Sequence, residues 1–156
     1  MNRVSILLIA FLGLSALTGC SGSDDKQESS SAVNVAEAKT TPIDGAWQTV
    51  SFRRNNQPAT NNQYKLFSNG FFSLISWDST GKFSYGGFGK YELDGSMYKE
   101  TFLYHNNPNY TGAKDWQEYE MKGDTLIMRG FNKVIVGGKD VTVDFPKIEE
   151  KRVRIQ

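Results

Sequence analysis

The sequence predicts an all-β protein, an antiparallel up-and-down barrel of eight to ten short strands. Three observations carry that expectation. Runs rich in aromatic and β-branched residues follow one another from Trp47 to the C-terminus. Tight-turn dipeptides punctuate them at regular intervals. No stretch repeats its apolar residues at a helical period. Hairpin after hairpin places each strand beside its neighbour in sequence, and closing such a sheet removes both unpaired edges.

The elements justify themselves in order. "GAWQTVSF" (45–52) is aromatic and β-branched, and opens the strand region. "QYKLFS" (63–68) and "FFSLISW" (71–77) flank Asn69-Gly70, whose residues both tolerate the positive φ of a type I′ turn. "GKYEL" (89–93) and "SMYKETFLYH" (96–105) are joined through Asp94-Gly95. "DWQEYEM" (115–121) and "TLIMRGF" (125–131) turn around Gly123. "VIV-GGKD-VTV" (134–143) reads as a further hairpin, and its inclusion decides between eight strands and ten. "IEEKRVRI" (148–155) alternates as a final strand, whereas 106–114 lacks strand character. Gly86-Gly87-Phe88-Gly89 reads as a loop or bulge where backbone approaches closely.

Alternation assigns the faces. Tyr91 and Leu93 oppose Lys90 and Glu92; Gln117, Tyr119 and Met121 face in while Glu118 and Glu120 face out; Leu126 and Met128 point in. Strand 97–105 has two readings. If Lys99 faces solvent, then Tyr98, Glu100, Phe102 and Tyr104 line the interior. A carboxylate among aromatics is costly to bury unless it is hydrogen-bonded or faces a wet cavity, so this reading implies a cup. The other reading turns Met97, Thr101 and Leu103 inward and leaves Glu100 in solvent.

Gly45-Ala46-Trp47 resembles the G-x-W signature of lipocalins and related calycin barrels. The resemblance implies that Trp47 plugs one end of the barrel while a basic residue of the last strand, Arg152 or Arg154, packs across it. More broadly, residues 45–156, with phrases such as "GDTLIMRGF" and "DFPKIEEKRVRI", resemble the lipocalin-like domains of uncharacterised Gram-negative lipoproteins.

The N-terminal part is different in kind. Arg3 precedes a short apolar core, 4–17, which as a helix would span roughly 21 Å, short of the ~30 Å of a bilayer core. Leu17-Thr18-Gly19-Cys20 resembles the lipobox of bacterial lipoproteins, which implies that Cys20, the single cysteine, carries lipid. Ser21 after the cysteine implies by the same likeness passage to the outer membrane. "SDDK" (23–26) resembles surface-export tags, though a solvated linker has the same composition. From Ser21 to Pro42 no aromatic residue occurs, and such a segment reads as a tether of roughly 25 Å average span. The expected organisation is a signal segment 1–19, lipidated cysteine and tether 20–43, and barrel 44–156.

Composition narrows the function. Removing residues 1–19 takes Arg3 from the 18 basic residues and no acid, leaving 17 of each sign. A neutral domain has no electrostatic footprint for nucleic acid. The one histidine, His105, is read as a strand-end residue bonded to a loop carbonyl. No G-x-S-x-G elbow, metal-ligand spacing or cofactor motif accompanies it, and nothing selects a catalytic carboxylate pair. The expectation is a non-enzymatic barrel, without metal or cofactor, anchored by lipid to the outer membrane and holding a small apolar or aromatic ligand. Tyr91, Tyr98, Glu100, Phe102, Tyr104, Gln117 and Tyr119 are the candidate wall. The alternative is a solidly packed barrel acting through its surface as an accessory subunit of an envelope complex.

Overall fold

The computed structural model describes residues 40–155. The expected signal segment, Cys20 and the tether through residue 39 lie outside the described residues. Ten antiparallel strands follow: β1 (Gly45–Arg54), β2 (Gln57–Ala59), β3 (Asn62–Ser68), β4 (Phe71–Trp77), β5 (Phe83–Asp94), β6 (Met97–His105), β7 (Lys114–Lys122), β8 (Thr125–Val136), β9 (Lys139–Asp140) and β10 (Ile148–Arg154). Two short 3₁₀ turns, at Pro108–Tyr110 and Thr142–Asp144, complete the elements.

Eight of the strands close a barrel. The order β10-β1-β3-β4-β5-β6-β7-β8 returns on itself because β10 also pairs with β8. Thus Arg152 lies opposite Thr49 on one side and Leu126 on the other. β2 folds back onto the end of β1, and β9 onto the end of β8. The count is therefore eight barrel strands plus two flaps, and the 134–143 hairpin adds no stave.

Turn chemistry explains the connections. At Asn69 and Gly70 φ is +50° and +78°, the left-handed pair a type I′ turn requires. The Asp94-Gly95 turn sits one residue later than expected, because Asp94 pairs with Met97 and the loop is Gly95-Ser96. One hairpin was not foreseen. Asn55-Asn56, with φ of +49° and +64°, reverses β1 into β2 without any glycine. Glycines 86, 87 and 89 lie within β5, not in a loop. A Cβ on Gly87 would stand 2.6 Å from the Phe102 ring, and one on Gly89 2.7 Å from the Phe72 ring. These positions admit two inward aromatic rings at the cost of side chains of their own.

A register shift lies beside them. Phe88 pairs with Tyr104 and Gly89 with Phe102, so Leu103 is an extra residue in β6. Such a bulge reverses which side chains face inward beyond it. Tyr98 and Glu100 accordingly face in and are buried, whereas Tyr104 is 62% exposed on the outside. The inward reading of β6 holds up to Phe102, and Tyr104 is removed from the candidate wall.

The core closes one end. Ile43, Trp47, Phe67, Phe72, Tyr91, Tyr98, Leu126 and Met128 form its buried cluster. Phe67 meets Tyr91 and Tyr98 edge-on at 5.3 and 5.8 Å. The Trp47 indole N–H donates to the Ile43 carbonyl at 2.7 Å. Outside this plug the Arg154 guanidinium lies 4.4 Å from the Trp47 ring, and donates to the carbonyls of Asp44 and Pro42. Arg154, not Arg152, is the residue across the tryptophan. Residues 41–43, placed by composition in the tether, belong to the packed unit, since Ile43 is fully buried and Thr41 bonds both Asp44 and Tyr91.

Trp47→Ala removes a fully buried indole and should lower stability by about 3–5 kcal/mol. Arg154→Ala removes only the covering contacts and should lower it by about 1–2 kcal/mol. Urea midpoints measure both, and equal effects would contradict the plug-and-cover arrangement.

Candidate functional site

Above the plug the interior changes character. At mid-height β3 turns Gln63 and Lys65 inward, β6 Glu100, β7 Asp115 and Gln117, and β10 Glu150 and Arg152, and all seven are buried. A buried charge is tolerated only when paired and hydrogen-bonded. Two linked groups meet that condition. Lys65 Nζ and the Tyr98 hydroxyl both donate to Glu100 Oε2. The same ammonium lies 4.6 Å from the Phe72 ring centroid. On the other side Arg152 Nη2 donates to Glu150 and to Gln63. Asn61 adds a bond to Glu150 at 2.8 Å, and Gln63 donates to the Tyr85 hydroxyl at 2.8 Å.

Protonation follows from these contacts. Burial disfavours charge on Glu100, but the Lys65 ammonium, with donors from Asp115, Lys65 and Tyr98, holds it below the ordinary carboxylate range. Asp115 moves the other way. Burial, and then the neighbouring Glu100 charge, push it well above the ordinary value. Asp115 is thus the more readily protonated member of the pair, hydrogen-bonded to Glu100 and accepting from Gln117 Nε2 at 2.8 Å. Gln117 Oε1 and Arg152 Nε and Nη1 find no partner in the protein, so the belt keeps unmet hydrogen-bonding capacity.

Over this belt the barrel is open, with a cavity of about 970 Å³. Glu100, Asp115, Gln117, Glu150 and Arg152 line it below, and Phe102, Tyr85, His105 and Tyr110 line it toward the mouth. The rim is a connected aromatic group. His105 lies 5.2 Å from both Phe102 and Tyr110, and stacks on Tyr85 at 6.1 Å with planes 13° apart. The Leu103 bulge delivers His105 to the interior. Its Nδ1 accepts from the Asn107 backbone N–H at 2.9 Å, where a bond to a loop carbonyl was expected. That bond leaves Nε2 carrying the proton, and burial lowers the ring's basicity, so His105 is a neutral donor.

Of the expected wall, Glu100, Phe102 and Gln117 line the cavity, and Arg152 joins them instead of closing the end. Tyr91 and Tyr98 belong to the apolar plug, and Tyr119 packs against it. Lys65, Gln63, Asp115, Glu150 and Tyr85 were not anticipated. Only the alternation of "QYKLFS", read with its polar side inward, could have found Lys65 and Gln63. Among the described residues no cluster of three or more His, Cys, Asp and Glu forms that could hold a metal.

The closed eight-stranded wall, apolar plug and open polar cup define an up-and-down barrel with an accessible interior. No protein-family model matches the chain, and no curated protein matches it in sequence. Among solved structures it is similar to an uncharacterised protein from Bacteroides eggerthii and to a lipocalin-like protein from Bacteroides uniformis. Each is 16% identical, covers 72% of this chain and 98% of its own, and superposes with a TM-score of 0.43.

The pH dependence of stability tests the belt. A folded-state value above the ordinary 3.8 means Asp115 contributes fully below pH 3.8, and its contribution declines as pH rises toward the folded value. Asp115→Asn keeps the neutral donor and removes this decline. Measured against the parent, its denaturation midpoint should improve steadily from acid to neutral pH. An offset that stays constant with pH would place a charged carboxylate at 115. Lys65→Met should cost about 3–5 kcal/mol by stranding Glu100, and Lys65→Met with Glu100→Gln considerably less.

Proposed function

We propose that this chain is a lipid-anchored envelope protein whose barrel binds one small ligand without transforming it. The observation that carries the reading is the cup of about 970 Å³ between an ionic floor and an aromatic rim. That volume suits a molecule of metabolite or drug size, and a barrel packed solid does not fit it. The floor sets the chemistry. A purely apolar guest would cover Glu150, Asp115 and Arg152 without bonding them, and would leave the unmet donors of Arg152 unmet. The ligand is therefore amphiphilic. Its polar end meets the belt, and a ring or apolar body lies against Phe102, Tyr85 and His105.

The anchor reading rests on the N-terminal segment. Cys20 follows, after Thr18 and Gly19, an apolar core too short to span a bilayer and sits in Leu17-Thr18-Gly19-Cys20. Acyl chains on that thiol would hold the protein at the outer membrane, since each buried methylene contributes about 0.8 kcal/mol.

Two measurements test the two halves. Native mass spectrometry of protein purified from its own host should find a small molecule retained by the parent chain. Leu74 on β4 also lines the cup, and Leu74→Trp, which places an indole there, should reduce that retention; protein arriving bare from its host would contradict the binding reading. Cys20→Ala should move the protein from the membrane fraction to the soluble one, and continued membrane retention would contradict lipidation.

A further inference from the structure

The outer wall of β3–β6 inverts the usual pattern of a barrel in water. Tyr64 and Leu66 on β3, Phe71 and Ile75 on β4, Phe88 on β5 and Tyr104 on β6 all point outward and are exposed. Leu66 is 48% exposed, Ile75 49% and Phe88 42%. Register makes them one patch. Tyr64 lies opposite Ile75; Leu66, Ser73, Phe88 and Tyr104 form a row across all four strands. Phe71 stacks on Phe88 at 5.7 Å, with its plane 6° away. Soluble monomers seldom expose a contiguous apolar surface of this kind unless something covers it.

Most of the remaining outer wall is polar. β7 shows Glu118 and Glu120, β8 Arg129 and β10 Glu149 and Lys151, several of them in surface ion pairs. Val50 on β1 and Trp116 on β7, the latter covered by Lys99 and Lys133, are isolated exceptions, so apolar character is concentrated on one side. A barrel that spans a bilayer needs an apolar band all the way round. One apolar side fits a barrel lying against a lipid surface.

We propose that this wall docks on the bilayer. Three observations favour lipid over a protein partner. The described chain enters at the foot of the wall: Thr41 bonds Tyr91, and Asp44 is bonded by the backbone of Asn69 in the β3–β4 turn. An anchor at Cys20, about twenty residues earlier in the sequence, would hold the bilayer within reach of this entry point. Neither the cup nor the small cavity beside Tyr110 and Val141 involves the six residues of the patch. Its composition suits the headgroup boundary, with tyrosines at two positions and Lys90 extended over the Phe71 ring at 5.6 Å. The anchored reading above contributes only the nearness of the membrane.

The test uses the mature chain, residues 20–156, coupled through the Cys20 thiol to maleimide lipids in phosphatidylethanolamine–phosphatidylglycerol vesicles. Chemical coupling makes the outcome independent of whether the host lipidates Cys20, which fractionation of Cys20→Ala reads separately. Phe88→Trp and Glu118→Trp place a reporter on the apolar and the polar wall. With brominated acyl chains, and after subtraction of the parent signal, the Phe88→Trp reporter should lose emission and the Glu118→Trp reporter should keep it. Adding Leu66→Asp and Ile75→Asp, both at exposed sites, should restore the emission while circular dichroism stays unchanged. Equal emission from the two reporters overturns the proposal. So does a Phe88→Trp change that appears without vesicles and grows with protein concentration, which would assign the wall to a second copy of this chain.

Discussion

The structure depends on the double pairing of β10. This last strand bonds to β8 on one edge and to β1 on the other, and so converts a meander with two raw edges into a closed wall. With its backbone groups paired in the ladder, the wall keeps its shape without a filled centre. Only one end then needs an apolar core, and the cluster around Trp47 supplies it. The rest of the interior is released for polar side chains and open space.

That release inverts β3. In most half-buried strands the apolar side faces in, yet here Gln63 and Lys65 are buried and Tyr64 and Leu66 exposed. The two features belong to one strand geometry, since a period of two sends alternate residues to opposite faces. A polar cup and an apolar outer wall are thus coupled by alternation. Lys65 is tolerated inside because Glu100 pairs with it from β6, and Glu100 because Tyr98 and Asp115 complete its bonds. Removing one member leaves a stranded charge in a low-dielectric interior, so the belt behaves as a unit.

Much of the fold was legible because turns and alternation are local signals. Asn69-Gly70, Gly95, Gly123 and Gly137-Gly138 marked hairpins, and each reverses the chain at or beside the expected point. Asn55-Asn56 escaped notice because a left-handed pair without glycine is uncommon in a sequence reading. The candidate site was legible only in part. Glu100 among aromatics announced a polar interior, but its partners lie on other strands, and a single sequence does not display cross-strand register. The Leu103 bulge is invisible to a strict period of two, and it moved Tyr104 outside and His105 inside. Arg152 and Arg154 were equivalent by position. Register against β1 separates them: Arg154 lies opposite Trp47, and Arg152 opposite Thr49, further up the barrel beside the cup.

The central claim is that the closed wall encloses an occupied, polar-floored cup. A crystal structure of the protein purified from its own host tests it most directly. It should show density for a small molecule above Glu150, Asp115 and Arg152, with Lys65 still paired to Glu100 and His105 still bonded to the Asn107 amide. An interior collapsed onto itself, with the belt side chains packed together and no space beneath the aromatic rim, would contradict it.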